Sequence, residues 1–275
     1  MPKTLRTEDA AGVRSIVLTR AAEYNTITPQ LRDELGAAID EADADRDVRV
    51  ILLRAEGRAF CAGYGLDWST VAQGGERQWD SVRDMRMMKT FVDVYMKLWY
   101  ASKPTIAAVQ GWCIAGGTDM VLCADMIVAG TSAVFGYPPS RVWGTPTTAM
   151  WVYRMGLERA KRYLLTGDEI AAPTAKEIGL IGECVPDDEL QERAFALAER
   201  MAKVPVSQLV MLKLLCNQTV ENMGFTSSRT LGTLFDGIAR HTAEGQAFVE
   251  RANEIGWRNA VSERDDPFGD YGSRS

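Results

Sequence analysis

A chain of 275 residues, 46% hydrophobic and 25% charged, can bury a substantial core and carries no low-complexity tract. Its formal net charge of −6 argues against nucleic acid as a partner, while a local basic pocket for phosphates stays open. Five scattered cysteines (Cys61, Cys113, Cys123, Cys184, Cys216) without a C-x-x-C pair point to a reducing cytoplasm and away from disulfide frameworks or a zinc site.

The opening residues lack the apolar core of a signal peptide, and no apolar run approaches a membrane-spanning length. Residues 13–19 read as a strand. Thr28-Pro29 opens a helix, with threonine as cap and proline in the first turn. Leu31, Leu35, Ala38, Ile39 and Ala42 form its apolar stripe, and the acidic stretch 40–47 ends it. A second strand over 48–53 leads to a turn, Phe60-Cys61-Ala62-Gly63-Tyr64-Gly65. An amphipathic helix over 76–100 follows, and Lys103-Pro104 stops it. A third strand covers 105–109. The stretch Gly111 to Asp119 then makes a second glycine turn and opens a short apolar helix to about Cys123, before a strand at 126–129. This spacing predicts parallel β/α units wound into one core.

From Leu157 onward the pattern is helical. Residues 171–180 form a helix with a glycine stop, Asp187 opens another, and 206–222 form a third. Residues 226–260 read as one long helix, and the turn-rich tail 266–272 wraps or frays. The single histidine, His241, falls in a polar stretch and reads as facing solvent or an interface. Histidine-assisted nucleophiles and histidine metal ligands are therefore disfavoured, and acid–base chemistry falls to carboxylates or water.

Each glycine turn follows a strand, and the second also opens a helix, where backbone N–H groups lack intrahelical partners. Such amides can face an oxygen that becomes negative during reaction. Taken singly, either turn reads equally as a tight strand–helix connection. Taken in order, they resemble the crotonase (enoyl-CoA hydratase/isomerase) superfamily. The resemblance is carried by Arg20-Ala-Ala-Glu-Tyr-Asn25, Phe60-Cys-Ala-Gly63, Lys103-Pro-Thr-Ile-Ala-Ala-Val-Gln-Gly111 through Ala115-Gly-Gly-Thr-Asp119, Phe135-Gly-Tyr-Pro138, Leu165-Thr-Gly167 and Ala175-Lys-Glu-Ile-Gly-Leu180, spanning about residues 13–255.

The resemblance implies an α/β protein. A ββα spiral core (residues 1–200) would bind acyl-CoA, and a helical C-terminal region (201–275) would build a homotrimer or hexamer and cover the active site. It implies no prosthetic group, with coenzyme A entering as part of the substrate. The thioester oxygen would lie between the N–H groups of Ala62 and Gly116. Tyr24, Asn25, Cys61, Ala62 and Gly63 would line the coenzyme A site, with Arg251 reaching a neighbour's phosphate. Trp79, Met85, Met88, Pro139 and Trp143 would line an acyl pocket, although a Met/Trp stripe equally reads as plain core.

The chain departs from the family pattern at its acids. Asp119 stands where hydratases carry their first glutamate, three residues after the glycine donor. The second glutamate is replaced by Pro139, which has no titratable group. Asp119 reads evenly as a catalytic acid or as a residue stabilising its helix N-terminus, whose field is expected to lower its pKa. Gly65 takes the place of a further family aspartate, and Asp67 reads as a helix cap. Cys61 and Cys113 have no visible base and read as packing residues. Hydration or isomerisation of an enoyl-CoA is the leading reading. Decarboxylation or hydrolysis of a thioester, and an acyl-CoA-binding protein that has lost the chemistry, are its rivals.

Overall fold

The computed structural model describes residues 3–66 and 80–271. Among them the strands are β1 (Leu5–Ala10), β2 (Val13–Leu18), β3 (Val50–Ala55), β4 (Ala59–Cys61), β5 (Thr105–Val109), β6 (Trp112–Ile114), β7 (Met126–Gly130), β8 (Val134–Gly136), β9 (Ile170–Ala171) and β10 (Glu183–Val185). The helices are α1 (Pro29–Ala44), α2 (Ser81–Tyr100), α3 (Gly116–Val121), α4 (Met150–Met155), α5 (Leu157–Thr166), α6 (Ala172–Glu177), α7 (Leu190–Ala202), α8 (Val206–Asn222), α9 (Phe225–Ala239), α10 (Ala243–Ile255) and α11 (Trp257–Asp265).

Two sheets run side by side, one in the order β1-β2-β3-β5-β7-β10 and the other β4-β6-β8-β9. The chain visits them alternately. β3 and β4 precede α2, β5 and β6 precede α3, and β7 follows into β8, so each turn adds one strand to each sheet. This is the ββα spiral. The central strands are parallel and buried on both faces, which explains near-continuous apolar runs such as Thr105–Val109. One face (Ile16, Leu18, Ile51, Leu53, Ala107, Val109) joins the main core, and the other (Val50, Leu52, Ile106, Ala108, Val128) packs on Ala194 and Ala198 of α7.

Several boundaries differ from the sequence reading for identifiable reasons. β1 is a strand that periodicity misses, because only its first residue is buried. Thr28 does cap α1, its hydroxyl accepting from Leu31 N at 3.2 Å. Asp187 starts no helix; its carboxylate instead accepts from the amide and hydroxyl of Ser132, and α7 begins at Leu190. The single long helix expected over 226–260 is three. Thr242 caps α10 by accepting from Gly245 N at 3.1 Å, and Gly256, at φ +85°, ends it. α2 begins at Ser81 under an Asp80 cap, and Asp67 and Trp79 lie outside the described residues.

The tail wraps. Tyr271 donates its hydroxyl to Gly167 O at 3.0 Å and fills the space over Gly136, where a Cβ would meet that hydroxyl oxygen at 1.7 Å. Arg141 anchors the same segment, pairing with Asp265 at 2.9 Å and Asp270 at 2.7 Å beneath the ring of Phe268. The side chains of Arg141 and Asp265 are both buried. Without the cation, Asp265 keeps its bidentate pair with Arg264 at 2.7 Å, whereas the largely buried Asp270 loses its charge partner. Arg141→Met is expected to cost about 3–5 kcal/mol in denaturant unfolding. A loss below about 1 kcal/mol would show that the tail does not depend on this cation.

Candidate active site

β4 and β6 are neighbours in the small sheet, with Cys61 opposite Cys113, so the turns that follow them emerge together. Gly63, at φ +89°, lets the first turn lie against the second: a Cβ there would approach Ala115 Cβ at 3.0 Å and Gly116 N at 3.6 Å. In the second turn a Cβ on Gly116 would strike the Tyr64 ring at 2.6 Å, and one on Gly117 would strike Cys61 O at 2.5 Å. Ala115 sits at φ 52°, ψ −123°, a conformation an L-residue rarely adopts. Its N–H donates to Gly136 O at 2.9 Å, which fixes that peptide and aims the start of α3. Among the described residues the N–H groups of Gly116 and Gly117 have no acceptor.

The first turn is braced from the other side. Asn25 donates its side-chain amide to Glu56 O and Ala59 O, both at 2.9 Å, and Tyr24 and Asn25 both take positive φ. The Ala62 N–H, expected to face the ligand, is donated to Tyr24 O at 3.1 Å. Ile27 N donates to Gly63 O and Gly65 N to Ile27 O, a parallel bridge that turns the N–H of Tyr64 away from Ile27. The Ala62 amide is thus part of the brace, and Gly63 and Tyr64 form the edge of the turn beside Gly116. Cys61 behaves as a packing residue, with burial pushing its thiol up to about 12.

Asp119 lies one helical turn beyond Gly116 and is fully buried. Its Oδ2 accepts from Thr147 N at 3.2 Å and Thr147 Oγ1 at 2.8 Å, and its Oδ1 from Thr148 Oγ1 at 3.3 Å. It therefore does not cap its own helix. Its pKa is raised to about 7, by burial first, against the opposing bonds from Thr147 and with the charge of Asp236 adding to the rise. The lowered pKa expected from the helix field is overturned: complete burial raises it, against the hydrogen bonds from Thr147 and Thr148.

Around it lie groups that sequence reading did not select. Tyr64 and Tyr95 join hydroxyls at 3.0 Å, and burial pushes both pKa values up, so both stay protonated. Tyr137 donates to Thr145 O at 2.8 Å. Asp236, buried on α9, pairs with Arg240 at 2.8 Å; burial raises its pKa and Arg240 opposes the rise. An Asp and an Arg four apart read as a solvated helix pair. The available signal is glycine inside that helix: a Cβ at Gly232 would meet Pro146 O at 2.5 Å, and one at Gly237 would meet Met85 N at 3.1 Å.

Of the expected pocket, Met88 is buried and its sulfur takes an N–H of Arg240 at 3.0 Å. Trp143 stacks near Phe248 at 5.4 Å and lies 5.8 Å from the Arg240 guanidinium. Met85 packs its backbone against Gly237. Pro139 is spent on a turn, its carbonyl accepting from the amides of Val142, Trp143 and Gly144. Arg251 is exposed and pairs within its own chain with Glu263 at 2.8 Å and Glu254 at 3.1 Å. His241 does not simply face solvent. Its Nε2 bonds Asp84 Oδ2 at 2.5 Å, tying the end of α9 to α2.

Residues 8–258 match the family described as enoyl-CoA hydratase/isomerase. The enoyl-CoA hydratase EchA19 of Mycobacterium tuberculosis is 34% identical over 190 residues, covering 68% of this chain and 70% of that one. An enoyl-CoA hydratase structure from Mycobacterium smegmatis superposes with TM-score 0.93 at 42% identity, covering 99% of this chain and 97% of the other. An enoyl-CoA hydratase/isomerase from Xanthobacter autotrophicus Py2 gives 0.88 at 28% identity, covering 96% and 98%.

The raised carboxyl makes stability depend on pH with a definite sign. Between the ordinary value of 3.8 and about 7 the folded Asp119 holds a proton that the unfolded chain releases. Stability therefore falls as pH rises through that window and levels off above it, by up to about 4 kcal/mol. Asp236 pulls in the same direction, whereas Tyr64, Tyr95 and Tyr137 stay neutral throughout. Chemical denaturation at pH 5 to 8 is expected to show this fall, and Asp119→Asn to flatten most of it. A wild-type slope of the opposite sign would contradict the assignment.

Proposed function

Because this chain belongs to the enoyl-CoA hydratase/isomerase family, whose pattern spans residues 8–258, we propose that it polarises an acyl-CoA thioester between two backbone amides and adds water to the adjacent double bond. One observation carries this reading. An amide without an acceptor among the described residues, at Gly116, stands one helical turn from a buried carboxyl with a pKa of about 7. Gly116 is one donor to the thioester oxygen. The second belongs to the Gly63–Tyr64 edge rather than to Ala62, whose N–H is held by Tyr24.

In the hydration, negative charge gathers on the thioester oxygen as water oxygen bonds to the β-carbon. Ionised Asp119 accepts a proton from that water and returns it to the α-carbon, so one water is added and the carboxylate is regenerated. A pKa near neutrality suits a group that must take and give the same proton. Thr147 and Thr148 hold the carboxylate in place while it does so.

A second reading has its own observation. Position 139 is a proline whose carbonyl serves a turn, so it brings no acid to the site. Decarboxylation of a malonyl-type thioester needs no base: the C–C bond breaks, carbon dioxide leaves, and the electron pair becomes the enolate held by the same amides. Asp119→Asn separates the readings. Under hydration, wild-type kcat/KM on an enoyl-CoA rises with pH through about 7, and the variant loses about 10²–10⁴-fold and its inflection. Retention of most turnover on a malonyl-type thioester by the variant would favour decarboxylation. Acyl-CoA binding with no turnover of either class would leave only a binding protein.

The coenzyme A moiety is assigned to the surface near Tyr24, Asn25 and Gly63. Arg251 serves a neighbouring protomer only if it leaves Glu263. Residues 201–275 are read as the unit that covers the site and builds a trimer or hexamer. Met211, Leu212, Leu214 and Leu215 on α8, with Leu231, Phe235 and Ile238 on α9, are exposed apolar residues that a neighbour would bury. Light scattering is expected to give three or six times the monomer mass, and Leu212→Asp/Leu215→Asp to lower it. A monomeric native protein would refute the assembly.

A further inference from the structure

Arg240 is a buried cation only partly satisfied by the protein. Its Nη2 donates to Asp236 Oδ2 at 2.8 Å and to Met88 Sδ at 3.0 Å, whereas its Nη1 is buried with no hydrogen-bond partner among the described residues. A buried N–H on a charged group is costly to leave without an acceptor, and native structures seldom do so. The guanidinium touches the Met88 sulfur and lies 5.8 Å from the Trp143 ring, and both residues are expected to line the acyl pocket. Its charge is felt by the hydroxyls of Tyr64 and Tyr137, and the Tyr64 ring covers Gly116. The spare donor therefore belongs to the same interior as the two turns and Asp119.

We infer that Arg240 reads the acyl group, and that the preferred substrate carries an uncharged oxygen acceptor, a ketone or hydroxyl, on its chain beyond the reacting carbons. This deepens the acyl-thioester reading and rests on it. The ligand group is an oxygen because only an acceptor can meet Nη1, and arginine keeps its proton at any working pH. It is uncharged because Asp236 already balances the cation, and the carboxylates of Asp84 and Asp119 lie in the same electrostatic neighbourhood. A further carboxylate would add like charge in a desolvated interior. Asp236 is then a positioning residue, holding the guanidinium so that Nη1 faces the pocket.

Calorimetry with saturated acyl-CoAs tests this without relying on turnover. A parent acyl-CoA is compared with a series of equal length in which a single ketone is moved along the chain beyond the third carbon. At least one ketone is expected to bind ten-fold or more tightly than the parent. In Asp236→Asn/Arg240→Met, which removes both charges together so that neither is stranded, the advantage is expected to fall below two-fold. Arg240→Lys, which keeps a cation for Asp236 but lacks the second arm of the fork, is expected to lose it as well. Circular dichroism and thermal melting confirm that the variants fold. Absence of any ketone advantage in the wild type, as when a water already satisfies Nη1, overturns the inference, as does an advantage that survives in both variants. Failure of the parent itself to bind would instead overturn the acyl-thioester reading beneath it.

Discussion

Two chain segments must come closer at this site than side chains ordinarily allow, and much of the architecture follows from that contact. β4 and β6 lie side by side, and the turns beyond them touch through Gly63, whose positive φ sets it against Ala115, and through Gly116 and Gly117, where a Cβ would strike the Tyr64 ring or the Cys61 carbonyl. The approach is enforced from both sides. Asn25 and Tyr24 hold the first turn, while the Ala115–Gly136 hydrogen bond holds the second in an unfavourable backbone conformation. Backbone strain of this kind persists only where its surroundings over-determine it, and here they do. The product is an amide at the start of α3 that the protein itself leaves without an acceptor.

The chemistry of Asp119 is a contest between two effects of similar kind and unequal size. A helix N-terminus and three hydrogen bonds favour the carboxylate; complete burial and the nearby Asp236 favour the acid. Burial wins, but only far enough to bring the group to neutrality. Had Asp119 been exposed, it would be a weak base that is always ionised. Had Thr147 and Thr148 been apolar, it would hold its proton well above neutral pH. The loop at 145–148 thus tunes a proton affinity as well as shaping a wall, and α9 presses on that loop through Gly232.

The fold was largely legible in the sequence because its signals are local. Strand runs, the Thr28-Pro29 cap and the glycine turns each declare themselves within a few residues, and the ordered match to a known superfamily joined them. The features that local patterns do not display depend on distant contacts. The break at 240–242 needs the hydroxyl of Thr242 to find its amide, and nothing in apolar periodicity marks it. Asp236 and Arg240 look like a surface pair until α2 is laid over them. The Ala62 amide looked available because its acceptor, Tyr24 O, lies in a segment thirty-odd positions upstream. Single-residue chemistry was readable, but the environment that sets its strength was not.

The knot around Arg141 has a consequence for how such a chain is made. β8 is the strand next to β6, and the surface over Gly136 is closed by Tyr271, while Arg141 waits for Asp265 and Asp270. On a ribosome these partners emerge long after the strands they seal. The nascent chain must therefore carry a buried-type arginine and an uncovered glycine ledge while the intervening helices are built. Its last steps of maturation are long-range closures, which are the slow ones in folding and the most open to wrong partners.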